Sequence, residues 1–332
     1  MLYVLKLYKK ILIATIIIFF IIFILSRGHI YKKESLEYGL TFSKKQAQSL
    51  GFNWQEVYLS VLNDLRVKKI RLPAYWDEIE ASDNQFEWAD LDWQIKKAEE
   101  QNVSVILAVG GRLPRWPECH YPAWTKNLSE ETREIKILSY INKTISRYKA
   151  YQNISAWQIE NEPFLSHFGE CPKLDKNFLD QEIALARQLD SRPIVVTDSG
   201  ELSIWVGAAK RADIFGITMY RDTYSAVLKS YIHYPISPGF FRFKKNITRL
   251  FARPKKWLVI ELQAEPWGPK PYQDLSQEDR DKTMNLEKFK EMTKFSAQTG
   301  FQEFYLWGVE WWYWELSQGR PETWNYAKSL FN

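Results

Sequence analysis

Short apolar runs that alternate with helical stretches constrain the fold of this chain more than any other feature. Eight runs have the length of buried strands, and most segments between them are long enough to form helices. Strict alternation of strand and helix predicts a parallel sheet, and a count of eight predicts closure into a (β/α)8 TIM barrel. The predicted strands are Tyr38–Phe42, Lys68–Pro73, Val103–Val109, Ile154–Ile159, Pro193–Thr197, Asp213–Tyr220, Lys256–Gln263 and Phe304–Trp307.

Helices are predicted between these strands, and one connection is predicted to be irregular. The predicted helices cover about 53–65, 91–101, 130–148, 175–189, 203–211 and 277–299. Residues 222–253 are aromatic and basic without a clear period, and we expect them to be irregular. Single barrels of this class run to about 250 residues. A chain of 332 residues therefore accommodates one barrel over 38–332, preceded by a polar linker over 27–37.

The N-terminus contains an almost purely apolar stretch, Ile11–Leu25, which follows a basic flank. As a helix, residues 11–26 would cover roughly 24 Å, which is short of the roughly 30 Å hydrocarbon core of a bilayer. The stretch is therefore either a signal peptide or a short uncleaved anchor, and the absence of a small-x-small cleavage site favours the anchor. The flanking lysines are Lys6, Lys9 and Lys10.

The basic flank predicts how the chain is oriented in the membrane. Positive residues before a span favour the cytoplasmic side, so we expect 1–10 in the cytoplasm, 11–26 in the lipid bilayer and the barrel outside. If the segment is cleaved, the barrel is secreted.

Two of the predicted strands end in glutamates. The fourth strand leads into Asn161, Glu162 and Pro163, and the seventh strand carries Glu261 near its end. A single glutamate at a strand end is more often a solvated loop residue, but two such strands can face each other across the mouth of a barrel. Two carboxyl groups on either side of one sugar are what glycoside hydrolysis requires.

The Asn161-Glu162-Pro163 motif, on a chain of this organisation, resembles the clan A glycoside hydrolases over roughly 38–331. The resemblance implies that Glu162 is the general acid/base, that Asn161 holds the 2-hydroxyl group of the sugar, and that Glu261 is the nucleophile. The Glu261-Leu262-Gln263 context is similar to β-galactosidase-like members, while the overall length is similar to the cellulase-like family five.

The same resemblance assigns further substrate-binding residues. Arg71 stands where the clan has an arginine on strand two, Tyr220 where it often has a tyrosine on strand six, and Trp307 where a tryptophan floors the sugar subsite. The alternative for all three is packing or an ion pair inside the barrel. Further tryptophans are candidates for outer sugar subsites, and the alternative for each is core packing. They are Trp116, Trp124, Trp267, Trp311 and Trp312.

Some acidic residues leave alternatives open. Glu265, in Glu265-Pro266-Trp267, imitates the strand-four motif and is the alternative nucleophile; Glu261 is preferred because it ends the apolar run. Glu160 precedes the asparagine, and we interpret it as structural. Other polar residues near the predicted cleft have no assigned role. They are Asp77, Glu118, His120, His167 and Glu310.

The two cysteines, Cys119 and Cys171, follow the third and fourth predicted strands and so belong to adjacent loops on one face of a barrel. They are either a disulfide, which an extracellular location would allow, or two free thiols. Four scattered histidines offer no ligand spacing of a known kind, so neither a metal nor another cofactor is predicted. A net charge of +5 without a block of like charge argues against nucleic acid as a partner.

These features favour a retaining O-glycoside hydrolase that cleaves β-linked bonds of an oligo- or polysaccharide with two glutamates. The main alternative is a catalytically inactive carbohydrate-binding barrel anchored at the cell surface, which would keep the aromatic cleft but need not keep both glutamates. A surface-anchored structural or adhesion protein is a third possibility. Aldol or isomerase chemistry would call for a strand-end lysine or a glycine-rich phosphate loop, and neither is visible in the sequence.

Overall fold

A computed structural model of the chain describes residues 2–165, 168–172 and 175–331. Eight parallel strands close into a barrel in the order β1-β2-β3-β4-β5-β6-β9-β10, and β7 and β8 form a separate hairpin. The predicted (β/α)8 barrel is therefore confirmed. The strands are β1 (Glu37–Thr41), β2 (Lys69–Pro73), β3 (Ser104–Val109), β4 (Ile154–Ile159), β5 (Ile194–Asp198), β6 (Ile214–Met219), β7 (Asp222–Ser225), β8 (Ser230–His233), β9 (Lys256–Gln263) and β10 (Glu303–Trp307).

Helices follow most of the barrel strands, and one further helix, α1, precedes the barrel. They are α1 (Leu2–Ser26), α2 (Lys44–Ser49), α3 (Trp54–Ser60), α4 (Trp76–Ile79), α5 (Ala89–Glu100), α6 (Glu130–Tyr148), α7 (Lys176–Leu189), α8 (Val206–Ala209), α9 (Pro238–Phe251), α10 (Gln277–Thr283), α11 (Leu286–Ser296), α12 (Val309–Ser317) and α13 (Glu322–Phe331). Two of the long helices begin at a side chain that accepts a backbone N–H, Ser129 for α6 and Asp175 for α7. Such caps stabilise the first turn and explain where these helices start.

Three connections differ from the sequence prediction. The segment expected to be irregular contains the β7–β8 hairpin and the 14-residue helix α9. The helix expected over 203–211 is reduced to α8, and the helix expected over 277–299 is divided into α10 and α11. The division occurs because Met284 and Asn285 have extended backbone, and the Asn285 side chain then caps α11.

The barrel interior is filled by residues that alternate along the strands. Ile106, Ala156, Val195, Ile260 and Tyr305 form one buried cluster, as the two-residue period of a strand requires. The outward-facing residues of the strands pack against the helices in a second, larger core. This double burial fixes the strand ends rigidly, which is what a site built on them needs.

An ion cluster closes the amino-terminal end of the barrel. Lys69 pairs with both Glu37 and Glu303, and Lys256 also pairs with Glu303. Burial opposes ionisation of Glu303, but hydrogen bonds from the two lysines hold its pKa below the ordinary value. This ion cluster indicates a structural role for the amino-terminal end of the barrel and leaves the carboxyl-terminal end for chemistry.

The N-terminal helix α1 lies largely outside the barrel. Its portion Lys9–Ser26 has a mean hydropathy of 2.5 and is not buried, so by length and composition this helix is able to cross a membrane. A signal sequence would have the same properties. Among the α1 side chains that the structure describes, exposure falls at Leu25 and Ser26, where the end of α1 contacts α9.

Candidate active site

Arg71 joins the ends of two strands that lie far apart in the sequence. Its Nη1 donates to Glu261 Oε1 at 2.6 Å, and its Nη2 donates to Asn161 Oδ1, also at 2.6 Å. The Arg71 side chain on β2 is fully buried, and its Nε donates to Gln158 Oε1 at 2.8 Å. One guanidinium group therefore holds the end of β4 and the end of β9 around a common site.

Glu162 sits in a buried pocket of hydroxyl groups. Its backbone N–H donates to Thr197 Oγ1 at 2.8 Å, and Thr218 Oγ1 donates to Glu162 Oε1 at 3.0 Å. Burial raises the pKa of Glu162 well above its ordinary value, and the negative charges of Glu261 and Glu118 raise it further. This environment favours the protonated form of Glu162, which is the form that can donate a proton.

Glu261 is placed among hydrogen-bond donors instead. Besides the bond from Arg71, it accepts one from Tyr220 Oη at 3.0 Å. Burial, followed by the charge of Glu261, raises the pKa of Tyr220 well above its ordinary value, so the phenol keeps its proton and remains a donor. A cation and a phenol stabilise negative charge on Glu261, which suits a nucleophile.

The turn after β4 has an unusual backbone. Glu160 and Glu162 have φ angles of 57° and 43°, in the left-handed region that most residues with a side chain avoid. The Glu160 carboxylate accepts hydrogen bonds from the backbone N–H groups of Gly111 and Arg112 at 2.7 and 2.6 Å. A side chain at Gly110 would overlap this carboxylate. Glu160 thus points into the β3 loop, which fits the structural role predicted for it.

Glu118, which had no assigned role in the sequence analysis, lies at the site. Its Oε2 accepts a hydrogen bond from Asn161 Nδ2 at 3.0 Å. Burial raises the pKa of Glu118 to about 7, and the charge of Glu261 contributes to the rise. Asn161 therefore lies between Arg71 on one side and Glu118 on the other, with its carboxamide orientation fixed.

Glu265 is paired with a different arginine. Arg115 forms ion pairs with Glu265 and with Glu310, and Glu310 Oε1 accepts the Ser43 backbone N–H at 2.6 Å. The guanidinium carbon of Arg115 also lies 4.1 Å from the centre of the Trp307 ring. Glu265 thus belongs to a buried charge cluster of its own, next to the tryptophan predicted to floor the sugar subsite.

A series of aromatic rings leads from the surface to the two glutamates. Trp116 is 63% exposed and contacts Phe168, which contacts Trp267, which contacts Tyr220, with ring centres 6.1, 5.6 and 5.3 Å apart. Such rings stack on the apolar faces of sugars. Trp311, by contrast, is buried in the core.

A disulfide joins Cys119 to Cys171, which resolves the alternative left open by the sequence. Asp77 and His120 lie together beside Lys45. His167 lies outside the described residues.

Sequence reasoning missed Glu118, Thr197 and Thr218. A usable signal existed for each. Glu118 immediately precedes a cysteine whose partner follows β4, and the two threonines lie at or next to the ends of β5 and β6. Residues at the carboxyl ends of barrel strands face the site in barrels of this class.

Part of the chain matches a known glycosidase family. Residues 68–188 match glycosyl hydrolase family 10. This stretch includes Arg71, Asn161 and Glu162 but ends before Glu261. No curated protein sequence matches the chain.

Solved structures of the same fold include several glycosidases. A β-galactosidase from the psychrophilic Marinomonas ef1 is 12% identical, with a TM-score of 0.55 over 82% of this chain and 54% of that one. A β-glucosidase from Exiguobacterium marinum is 12% identical, with a TM-score of 0.55 over 84% of this chain and 90% of that one. GH5_18 from Streptomyces cattleya, solved with GlcNAc, is 12% identical, with a TM-score of 0.56 over 82% and 70%.

The chain spans about half of the length of the Marinomonas β-galactosidase. At this level of identity the structural likeness shows the barrel fold alone. Together with the family 10 match, it confirms the predicted resemblance to clan A glycoside hydrolases.

Proposed function

We propose that the chain is a retaining O-glycoside hydrolase that acts on β-linked oligo- or polysaccharides, with Glu162 as acid/base and Glu261 as nucleophile. The observation that carries the proposal is the contrast between the two glutamates. Glu162 is buried and its pKa is raised partly by the charge of Glu261, whereas Glu261 accepts hydrogen bonds from Arg71 and Tyr220. Two neighbouring carboxyl groups in such different environments correspond to an acid and a nucleophile.

The first step follows from these protonation states. A Glu261 oxygen attacks the anomeric carbon and forms an ester bond while the bond to the leaving oxygen breaks. The proton of Glu162 moves to that oxygen, so the leaving group departs as an alcohol. In retaining enzymes the two carboxyl groups lie about 5 to 5.5 Å apart, which leaves no room for a water molecule between them and the sugar.

In the second step Glu162 acts as a base instead of an acid. Once Glu261 is esterified its negative charge is gone, so one of the causes that raise the pKa of Glu162 disappears. Glu162 then removes a proton from water, the water oxygen attacks the anomeric carbon, and the ester bond breaks to release Glu261. Glu162 ends the cycle protonated, as it began.

Asn161 and the ring series are proposed to hold the sugar. Asn161 lies between Arg71 and Glu118, where its carboxamide would meet the 2-hydroxyl group of a sugar attacked by Glu261. The path of the sugar chain would be lined by Trp116, Trp267 and Tyr220. Trp307 would lie under the sugar, next to Arg115. Trp311 is proposed only for packing, since it is buried in the core.

We also propose that α1 anchors the enzyme in a membrane, with the barrel outside the cytoplasm. The helix is long and apolar enough, and lysines precede its apolar part. The disulfide between Cys119 and Cys171 supports a location outside the reducing cytoplasm. Full-length protein should stay in the membrane fraction after alkaline extraction; its complete release would contradict the anchor.

Covalent trapping tests the proposed chemistry directly. Full-length protein in detergent is incubated with activated 2-deoxy-2-fluoro glycosides, and peptides are examined by mass spectrometry. The panel includes galactosides, glucosides and mannosides, because structures of this fold include a β-galactosidase, a β-glucosidase and an exo-β-1,4-mannosidase. We expect a sugar covalently bound to Glu261.

The other outcomes separate the alternatives. A sugar on Glu265 would keep the enzyme but overturn the nucleophile assignment. No labelling by any sugar, together with measurable oligosaccharide binding, would favour the binding-only barrel.

Substitution of the two glutamates provides the matched comparison. Glu162→Gln and Glu261→Gln should each lower kcat by several orders of magnitude, because each removes the proton donor or the nucleophile. Glu265→Gln should lower kcat much less, because Glu265 would act on the reaction only through Arg115. All three variants should still show cooperative thermal unfolding, which separates loss of activity from loss of the fold. Near-normal kcat in Glu162→Gln or Glu261→Gln would refute the corresponding assignment.

A further inference from the structure

A long basic segment follows β6. Residues 223–260 contain eight lysines and arginines and no aspartate or glutamate. The charges are spread along the segment rather than consecutive. The catalytic proposal uses none of these residues, so the charge asymmetry calls for another explanation.

The end of α1 is bound directly to α9 within this segment. Arg242 Nε donates to the carbonyl oxygen of Ser26 at 2.7 Å, and Asn246 Nδ2 donates to the carbonyl oxygens of Leu25 and Arg27, both at 2.8 Å. Leu25 and Ser26 are the last residues of the stretch that could span a membrane. If that stretch spans a bilayer, α9 must therefore lie at the membrane surface.

The face of α9 that holds α1 continues into an exposed apolar pair. Arg242, Asn246 and Leu250 are four residues apart and therefore share one side of the helix. Leu250 is 69% exposed and the adjacent Phe251 is 60% exposed. Leu250 lies about 6 Å along the helix axis from Asn246. Two large apolar side chains are thus presented to solvent next to the point where α1 leaves the barrel.

Basic side chains surround this pair. Arg249, Arg253 and Lys255 are exposed, and none of the three forms an ion pair with any described residue. Arg253 and Lys255 immediately precede β9, so they lie at the amino-terminal end of the barrel. Exposed apolar residues flanked by cations are typical of helices that lie in the interface of anionic membranes.

We propose that the carboxyl-terminal end of α9 is a second membrane contact. Leu250 and Phe251 enter the headgroup region of the bilayer, and Arg249, Arg253 and Lys255 bind anionic phosphate headgroups. The inference rests on the proposed anchoring by α1. With two attachment points, the barrel is held in one orientation on the membrane instead of turning freely on a single helix.

Fluorescent probes in the full-length protein test this contact. The described cysteines form one disulfide, so a single introduced cysteine can be labelled with an environment-sensitive dye. Three variants are made, each with one introduced cysteine that carries the dye. The cysteine replaces Leu250 in the first, Ile17 in the middle of α1 in the second, and Ile135 on α6 in the third. Ile135 is 60% exposed and separated from α9 by β4, β5 and β6 around the barrel, which makes it the matched control. Each variant is reconstituted into phosphatidylcholine–phosphatidylglycerol vesicles with acyl-chain spin-labelled lipid.

Each result has one meaning. The spin label should quench the probes at 17 and 250 and should leave the probe at 135 bright. A quenched probe at 17 with an unquenched probe at 250 would overturn the second contact while the anchor stands. An unquenched probe at 17 would overturn the anchor itself, and the second contact with it. In vesicles of phosphatidylcholine alone, quenching at 250 should weaken; unchanged quenching would overturn the role of the three cations.

Discussion

Glu118 adds a third carboxyl group beside the two glutamates proposed to carry out the reaction. The negative charge of Glu118 is one of the causes that raise the pKa of Glu162, after burial and the charge of Glu261. The pKa of Glu118 is itself raised to about 7 by burial. Glu118 therefore gains its charge near neutral pH and then helps to keep the proton on Glu162.

The variant Glu118→Gln should consequently shift the pH profile of kcat/KM. Removing the charge removes one cause of the raised pKa of Glu162, so the acid loses its proton at a lower pH. The alkaline limb of the profile, which reports the proton donor, should move to lower pH. Initial rates with a small aryl glycoside across pH 4 to 10 measure this limb.

A control for this shift is Glu182→Gln on α7. Glu182 is buried, but its raised pKa has burial and Glu160 as its main causes, and it is not among the main causes for Glu162. Its substitution should leave the alkaline limb in place. An unchanged alkaline limb in Glu118→Gln would show that Glu162 does not sense the charge of Glu118.

The site residues that sequence reasoning could assign are those with a motif or a strand position. Asn161 and Glu162 stand in a recognisable motif, and Arg71 and Glu261 lie within barrel strands, so their convergence follows once eight strands close into a barrel. Glu118 lies in a loop, and its approach to Asn161 depends on how that loop folds back. Loop conformation is set by long-range contacts, here including the disulfide, which no local pattern encodes.

At the scale of the elements, strands were more predictable than connections. Strand β4 was predicted with its observed ends, because its mostly apolar run is bounded by the polar residues Asn153 and Glu160. The 14-residue helix α9 was missed although its apolar residues recur with the helical period. It shares the segment 222–253 with the β7–β8 hairpin, and the segment taken as a whole has no single period.

The disulfide connects two loops that carry site residues. Cys119 follows Glu118 in the β3 loop, and Cys171 lies three residues after Phe168 in the β4 loop. The bond closes a loop with a sequence separation of 52, and the chain-entropy model gives about 4 kcal/mol of stabilisation for such a loop. It holds loops on the carboxyl-terminal face of the barrel, whereas Glu162 and Glu261, the two glutamates proposed to react, are positioned by β4 and β9.

Replacing both cysteines by serine should therefore affect binding more than chemistry. We expect KM to rise, because Glu118 and Phe168 lose their fixed positions, while kcat falls less. The melting temperature should also fall. Separate kcat and KM values with an oligosaccharide substrate, beside wild-type protein treated with reductant, check this prediction. A large loss of kcat at unchanged KM would mean that the loops take part in the chemistry itself.

At the scale of the whole molecule, we expect the proposed anchor and the proposed cleft to lie at opposite ends of the barrel. Arg242, which binds the end of α1, also donates to the carbonyl oxygen of Gln298, which lies shortly before the start of β10. The proposed catalytic residues follow the other ends of the strands. Barrel strands of six residues extend about 20 Å, so the cleft should open away from the bilayer, toward polymers in the surrounding solution.

This orientation predicts different heights above the membrane for two exposed leucines near α9. Leu202 is 55% exposed and follows β5, and Lys244 of α9 binds the carbonyl oxygens of Gly200 and Ser203 beside it. A donor dye at residue 202 should therefore transfer less energy to acceptor lipids than the same dye at residue 250. Equal transfer would mean that the barrel lies on its side with the cleft near the lipid. In that case the rate of hydrolysis of a large soluble polysaccharide, divided by the rate for a small glycoside, should be lower in vesicles than in detergent. If the cleft faces the solution, this ratio should be the same in vesicles and in detergent.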